Sequence, residues 1–151
     1  MFYPIRKLYT PILIIAFLLT GINACKDDYN SVIPYVIVKM DINPTNYIDL
    51  NIPAGTAFFE KVGYGGIFIV NNWGDTTYPY LAFDAACTNE APSSVSVVVV
   101  KENGTGIATC PTCGSQFMLF GGNGAPIKGP AVQPLRQYQA ISASGRIIVR
   151  N

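Results

Sequence analysis

Four cysteines and no histidine occur in the 151-residue chain, and together these two facts limit what its side chains can do. Cys87 stands alone in Phe83-Asp84-Ala85-Ala86-Cys87-Thr88-Asn89-Glu90-Ala91-Pro92, whereas Cys110 and Cys113 share the stretch Cys110-Pro111-Thr112-Cys113-Gly114-Ser115-Gln116-Phe117. Thiolates ligate metals and thiols close disulfides, so these residues carry the chemistry worth weighing. Cys25 sits in a different context, described below. Three thiols then remain, and an odd count leaves one over if a disulfide forms. Ser115 has no imidazole to activate it, which excludes nucleophilic catalysis of the triad kind. No phosphate loop and no paired-carboxylate arrangement stands out, so nothing independent points to an enzyme.

The elements that must bring these thiols together read as short strands. Past the N-terminal stretch, Gly and Pro recur and β-branched or aromatic runs are separated by turn chemistry, which predicts a small all-β domain. Val36-Ile37-Val38 and Ile48-Asp49-Leu50-Asn51 are expected as an opening pair joined through Asn43-Pro44. Gly66–Val70 and Tyr80–Phe83 follow, with the Asn72-Trp73-Gly74-Asp75 turn between them. Val95–Val100 and Ile107–Thr109 are expected to form a hairpin near Asn103-Gly104, a strong turn dipeptide, and this hairpin would join the two cysteine segments. Tyr138–Ile141 and Arg146–Val149 make a terminal hairpin around Ser144-Gly145. Tyr64, Trp73, Tyr78, Tyr80 and Phe120 are expected in the core or on sheet faces, and Lys128 and Arg136 in solvent.

The two cysteine segments resemble the cluster loops of Rieske iron–sulfur domains. That family writes its ligands as C-x-H in one loop and C-x-x-H in the other, two Cys on one iron and two His on the second. Here both cysteines are in place, but Asn89 occupies the first histidine position and Cys113 the second. Gly114-Ser115-Gln116-Phe117, then Gly124-Ala125-Pro126-Ile127-Lys128-Gly129-Pro130-Ala131, then Pro134–Tyr138, resemble the rest of the loop, the proline loop and the return strand. The resemblance runs from about residue 83 to the C-terminus and implies a Rieske-like small antiparallel β-sandwich with two cluster-type loops over residues 32–151. It also implies a hydrogen bond from Ser115 to a cluster, if one is held. The additional cysteine pair of many quinol-oxidising members is missing, since Thr112 stands at one of its positions.

Three readings of the site stay open. Cys87 and Cys110 on one iron and Cys113 on the other would make a [2Fe-2S] electron carrier, its fourth ligand drawn from Asn89, Asp84, Glu90 or water. An added thiolate charge would pull its potential from the Rieske range of about −150 to +300 mV toward about −400 mV. Alternatively the cluster is lost and a disulfide, Cys110 to Cys113 or Cys87 to Cys110, staples a non-catalytic binding or assembly module. Lastly, Cys110-Pro111-Thr112-Cys113-Gly114 resembles the metal knuckle of rubredoxin-like and zinc-ribbon sites, so three thiolates and a carboxylate would hold zinc.

The N-terminus reads as an export signal. Arg6 and Lys7 precede the apolar run Ile12–Leu19, and Ile22-Asn23-Ala24-Cys25 resembles a bacterial lipobox, giving a signal peptide over 1–24, acylation at Cys25 and a tether over 25–31. Lys26-Asp27-Asp28 resembles an acidic tag of surface lipoproteins or is simply a solvated tether. The expectation is an exported outer membrane lipoprotein, held through its lipid and facing the periplasm or the cell surface. With 10 basic against 9 acidic residues there is no field to recruit nucleic acid, and the expected partners are the membrane and a protein redox partner.

Overall fold

The computed structural model describes residues 31–151; the expected signal peptide, Cys25 and nearly all of the expected tether lie outside the described residues. Among the described residues nine strands form two antiparallel sheets. These strands are β1 (Lys39–Ile42), β2 (Thr56–Phe59), β3 (Ile67–Asn71), β4 (Tyr80–Asp84), β5 (Ile107–Thr109), β6 (Gln116–Met118), β7 (Pro126–Lys128), β8 (Gln137–Ala143) and β9 (Arg146–Arg150). The larger sheet has six strands in the order β1-β9-β8-β4-β3-β2, and the smaller has three in the order β5-β6-β7. The all-β architecture is therefore as the sequence predicts. Among the described residues no helix is long and apolar enough to cross a membrane.

Two cores lie on opposite faces of β3 and β4, because successive side chains of a strand point to opposite sides. Phe68 and Val70 of β3, with Leu81 and Phe83 of β4, face a core that also holds Cys87, Val98, Cys110, Phe117, Leu119 and Leu135. Ile67, Ile69 and Ala82 face the other way, onto Val38, Leu50, Tyr138, Ile147 and Val149. Strand β3 is buried on both faces, which is why Ile67-Phe68-Ile69-Val70 is apolar without alternation. The six-stranded sheet curls, so Ile42 and Ile147 from one end share a core with Ala57 from the other.

The opening of the chain differs from expectation. The first strand is Lys39–Ile42, and it pairs with β9, near the far end of the sequence. Ile48–Asn51 is a 3-10 turn with only Leu50 buried, preceded by another over Pro44–Asn46. The cause is local: the Asn43 side chain accepts from Thr45 N–H, and Pro44 at the first helical position starts a turn. The terminal hairpin is as expected, with Ser144 and Gly145 at φ 49° and 72° as a two-residue turn between β8 and β9 demands.

The Val95–Val100 hairpin is also corrected. This segment forms no strand, only bridges, one from Val97 to Ala86 and one from Val99 to Thr109. Its first half bonds to the Cys87 loop, through Cys87 N–H to Ser96 O and Val98 N–H to Ala85 O. Its second half exchanges both backbone bonds with Thr109. Pairing divided between two partners leaves no run long enough for a ladder, but it makes the segment a strap across both cysteine loops. Beyond it, Asn103 Oδ1 accepts from Thr56 N–H at 2.8 Å, anchoring the turn to the sheet edge.

Candidate metal centre

The first loop leaves β4 at Asp84, a fully buried carboxylate. Its Oδ1 accepts from Gly65 N–H and Ala86 N–H, both at 2.9 Å. Its Oδ2 accepts from Tyr64 N–H at 2.7 Å and the Tyr138 hydroxyl at 2.8 Å. Strand alternation puts Asp84 on the face opposite Phe83, away from the thiols, so both oxygens serve as a structural pin. Gly63 lies so close that an added Cβ would fall 2.7 Å from Oδ2.

The second loop turns tightly between β5 and β6. Cys110 N–H donates to Ser115 O at 2.8 Å and Gly114 N–H to Cys110 O at 3.0 Å, with Gly114 in the left-handed region at φ 74°. This turn swings Cys113 back toward Cys110, and the strap holds Cys87 against both. The sulfurs of Cys87, Cys110 and Cys113 all lie within 4.8 Å of one another, with Cys87 Sγ and Cys113 Sγ 3.6 Å apart. All three are free thiols; the first two are buried and Cys113 is half-buried.

Each sulfur has its own polar neighbour. Ser96 Oγ lies 3.4 Å from Cys110 Sγ and 2.7 Å from Thr112 Oγ1. Ser115 Oγ lies 3.1 Å from Cys113 Sγ and accepts from Ala131 N–H at 3.0 Å. A hydroxyl has a single proton, so with Ala131 supplying a donor to its oxygen, the Ser115 hydroxyl is free to donate to Cys113. The proline loop is held against this serine: a Cβ on Gly129 would fall 2.5 Å from Ser115 Cα. The Asn89 side chain is exposed and donates to Glu90 Oε1 at 3.2 Å, while its backbone N–H faces the Cys87 sulfur.

These surroundings separate the thiols electrostatically. Burial pushes the Cys87 thiol up, the Asn89 N–H offsets this only in part, and the other two cysteines add to the rise. Burial also opposes ionisation of Cys110, but the Ser96 hydroxyl, the Cys113 and Thr112 backbone N–H groups and the Cys87 thiol together bring it below the ordinary cysteine value. Of Cys87 and Cys110, it is Cys110 that releases its proton first.

A histidine-ligated [2Fe-2S] centre does not fit this residue set, because the chain has no imidazole nitrogen for a second iron. Ser96 was not singled out by the sequence, for a lone serine in a valine run carries no signal until the strap is seen to cross the loops. Trp73 and Tyr78, expected in the core or on sheet faces, are 65% and 60% exposed. They sit on the Asn72–Tyr78 turn, where Thr77 N–H and Tyr78 N–H cap Asp75 and leave the rings outside. Lys128 is exposed as expected. Arg136 instead packs inward, its Nη1 donating to Ile33 O at 3.0 Å and its guanidinium 5.3 Å from the centre of the Tyr35 ring.

No family model and no curated protein matches the chain. Among solved structures it is similar to a chain of the complex of reduced oxygenase and oxidized ferredoxin in carbazole 1,9a-dioxygenase, with TM-score 0.48 and 16% identity over 68% of this chain and 86% of that one. It is also similar to the ferredoxin of carbazole 1,9a-dioxygenase from Nocardioides aromaticivorans IC177, with TM-score 0.45 and 20% identity over 65% and 86%. A third is the Sphingomonas yanoikuyae B1 ferredoxin, with TM-score 0.45 and 18% identity over 66% and 87%.

Proposed function

We propose that this protein is an exported, lipid-anchored domain on a Rieske-type scaffold, working as a non-catalytic binding or assembly module with Asn89 and Cys113 in place of the two imidazoles of its loops. The observation that carries this reading is the missing histidine, in a chain whose two loops are nonetheless closed, strapped and hydrogen-bonded. Neutral imidazoles raise the potential of a Rieske centre, and the same groups take up the proton in quinol oxidation. A chain without them has neither property. Acylation at Cys25 would hold the domain at the outer membrane, and its near-neutral charge leaves nucleic acid aside.

A second reading has one observation in its favour, the convergence of three thiols in one place. In it the protein passes electrons to a protein partner through a thiolate-ligated cluster near about −400 mV. Iron and sulfide assays with EPR on anaerobically purified, dithionite-reduced protein separate the two. The first reading expects neither stoichiometric sulfide nor a cluster signal. A low-average-g signal, with a couple inside about −150 to +300 mV, would overturn both.

A further inference from the structure

We infer that Cys87, Cys110 and Cys113 form a mononuclear site for one thiophilic divalent cation, Zn2+, with a water on a fourth position open to solvent. The inference rests on the reading above that no histidine-ligated cluster is held, and it names what the altered loops bind instead.

Sulfur spacing separates one ion from two. With Zn–S near 2.3 Å and tetrahedral angles, two thiolates on the same ion sit about 3.8 Å apart. The Cys87 to Cys113 separation is 3.6 Å, and the whole triangle closes within 4.8 Å. Thiolates on opposite irons of a [2Fe-2S] rhomb are separated by an additional metal–metal vector. Cys113 occupies the position that would serve the second iron, yet its sulfur lies beside that of Cys87, as a third ligand of the same ion would.

The surroundings are those of a thiolate site. Ser96, Ser115 and the Asn89 backbone N–H each address a different sulfur, and such outer hydrogen bonds orient ligands and steady their charge. Three thiolates, two of them fully buried, need more positive charge than a monovalent ion brings, which favours a divalent one. The fourth position is not filled by Asp84, whose oxygens hold four donors on the other face of β4. It opens on the side of half-buried Cys113, flanked by exposed Pro111, Thr112 and Gly114. Three protein ligands with an open position is the arrangement of zinc sites that exchange a ligand, in contrast to closed four-ligand structural sites.

The test is Co2+ titration of the full-length chain, purified anaerobically in detergent under a phosphine reductant, followed by Zn2+ displacement and native mass spectrometry. The expected result is one Co2+ per chain with thiolate-to-cobalt charge-transfer absorption, displaced by one Zn2+. Cys113→Ser should weaken binding at least about 100-fold with the metal-free melting temperature close to that of the parent, whereas Ser115→Ala should weaken it about 10-fold and also lower that temperature, since the buried Ala131 N–H loses its acceptor. Cys25→Ser should leave the stoichiometry at one. Failure of the reduced protein to bind Co2+ or Zn2+, or binding indifferent to Cys113→Ser, overturns the inference while the proposed function stands. Two irons and two sulfides per chain in protein as purified overturn both.

Discussion

A carboxylate with no exposed surface must be answered by donors, and Asp84 has four, from two loops and one strand. Asp84→Asn keeps the shape but turns an amide N–H toward groups that themselves donate. The expected cost is about 3 kcal/mol, read from the urea midpoint, because one oxygen that accepts two of the four donors is lost. Tyr138 carries the linked pH effect. Burial first, then the Asp84 charge and hydrogen bond, push its ionisation above the ordinary 10.0, with Arg136 opposing weakly. The folded chain keeps the phenol proton where the unfolded chain releases it, so this stabilisation is complete below pH 10.0 and declines as pH rises past it. Tyr138→Phe should therefore be less stable at neutral pH but lose less between about pH 10 and 11, which paired urea titrations would show; equal slopes would remove Tyr138 as the cause.

Elements that close locally were legible and those that close across the chain were not. Ser144-Gly145 between two alternating runs specified the β8–β9 hairpin, and the apolar block Ile67–Val70 specified β3, because each signal lies within a few residues. Strand β1 finds its partner in β9, more than a hundred positions away, and no pattern near Val36 marks where pairing begins. Thr56–Phe59, Gln116–Met118 and Pro126–Lys128 are too short to show alternation, and all three strands were missed. Val95–Val100 has strand composition but divides its bonds between Ala86 and Thr109, an outcome set by tertiary contact. The thiols themselves were legible from their spacing, while Ser96, which reaches one of them, was not. Two glycines make an element-scale prediction. Gly129→Ala, at φ 93° with Ser115 Cα 2.5 Å from the new methyl, should cost about 2–4 kcal/mol by driving the proline loop off the knuckle. Gly145→Ala, at φ 72° in open space, should cost only about 1 kcal/mol, and thermal melts of both would show whether close approach or backbone angle dominates.

At the scale of the whole molecule, the expected anchor is a single residue outside the described domain. Cys25→Ser removes the acylation thiol and should move the chain from the membrane fraction to the soluble exported fraction, since stable anchoring needs more than one acyl chain's worth of buried hydrocarbon. Retention in the membrane fraction at high salt would show that something other than the lipid holds it. Inside the domain, β3 and β4 divide two apolar cores, and only one of them includes cysteine. Residues such as Val38, Leu50, Ile147 and Val149 set how durable the barrel-like half is without touching a sulfur. The keel of this protein and its thiol loops are thus separate compartments: a substitution among the sulfurs leaves the hull on the far side of β3 and β4 intact.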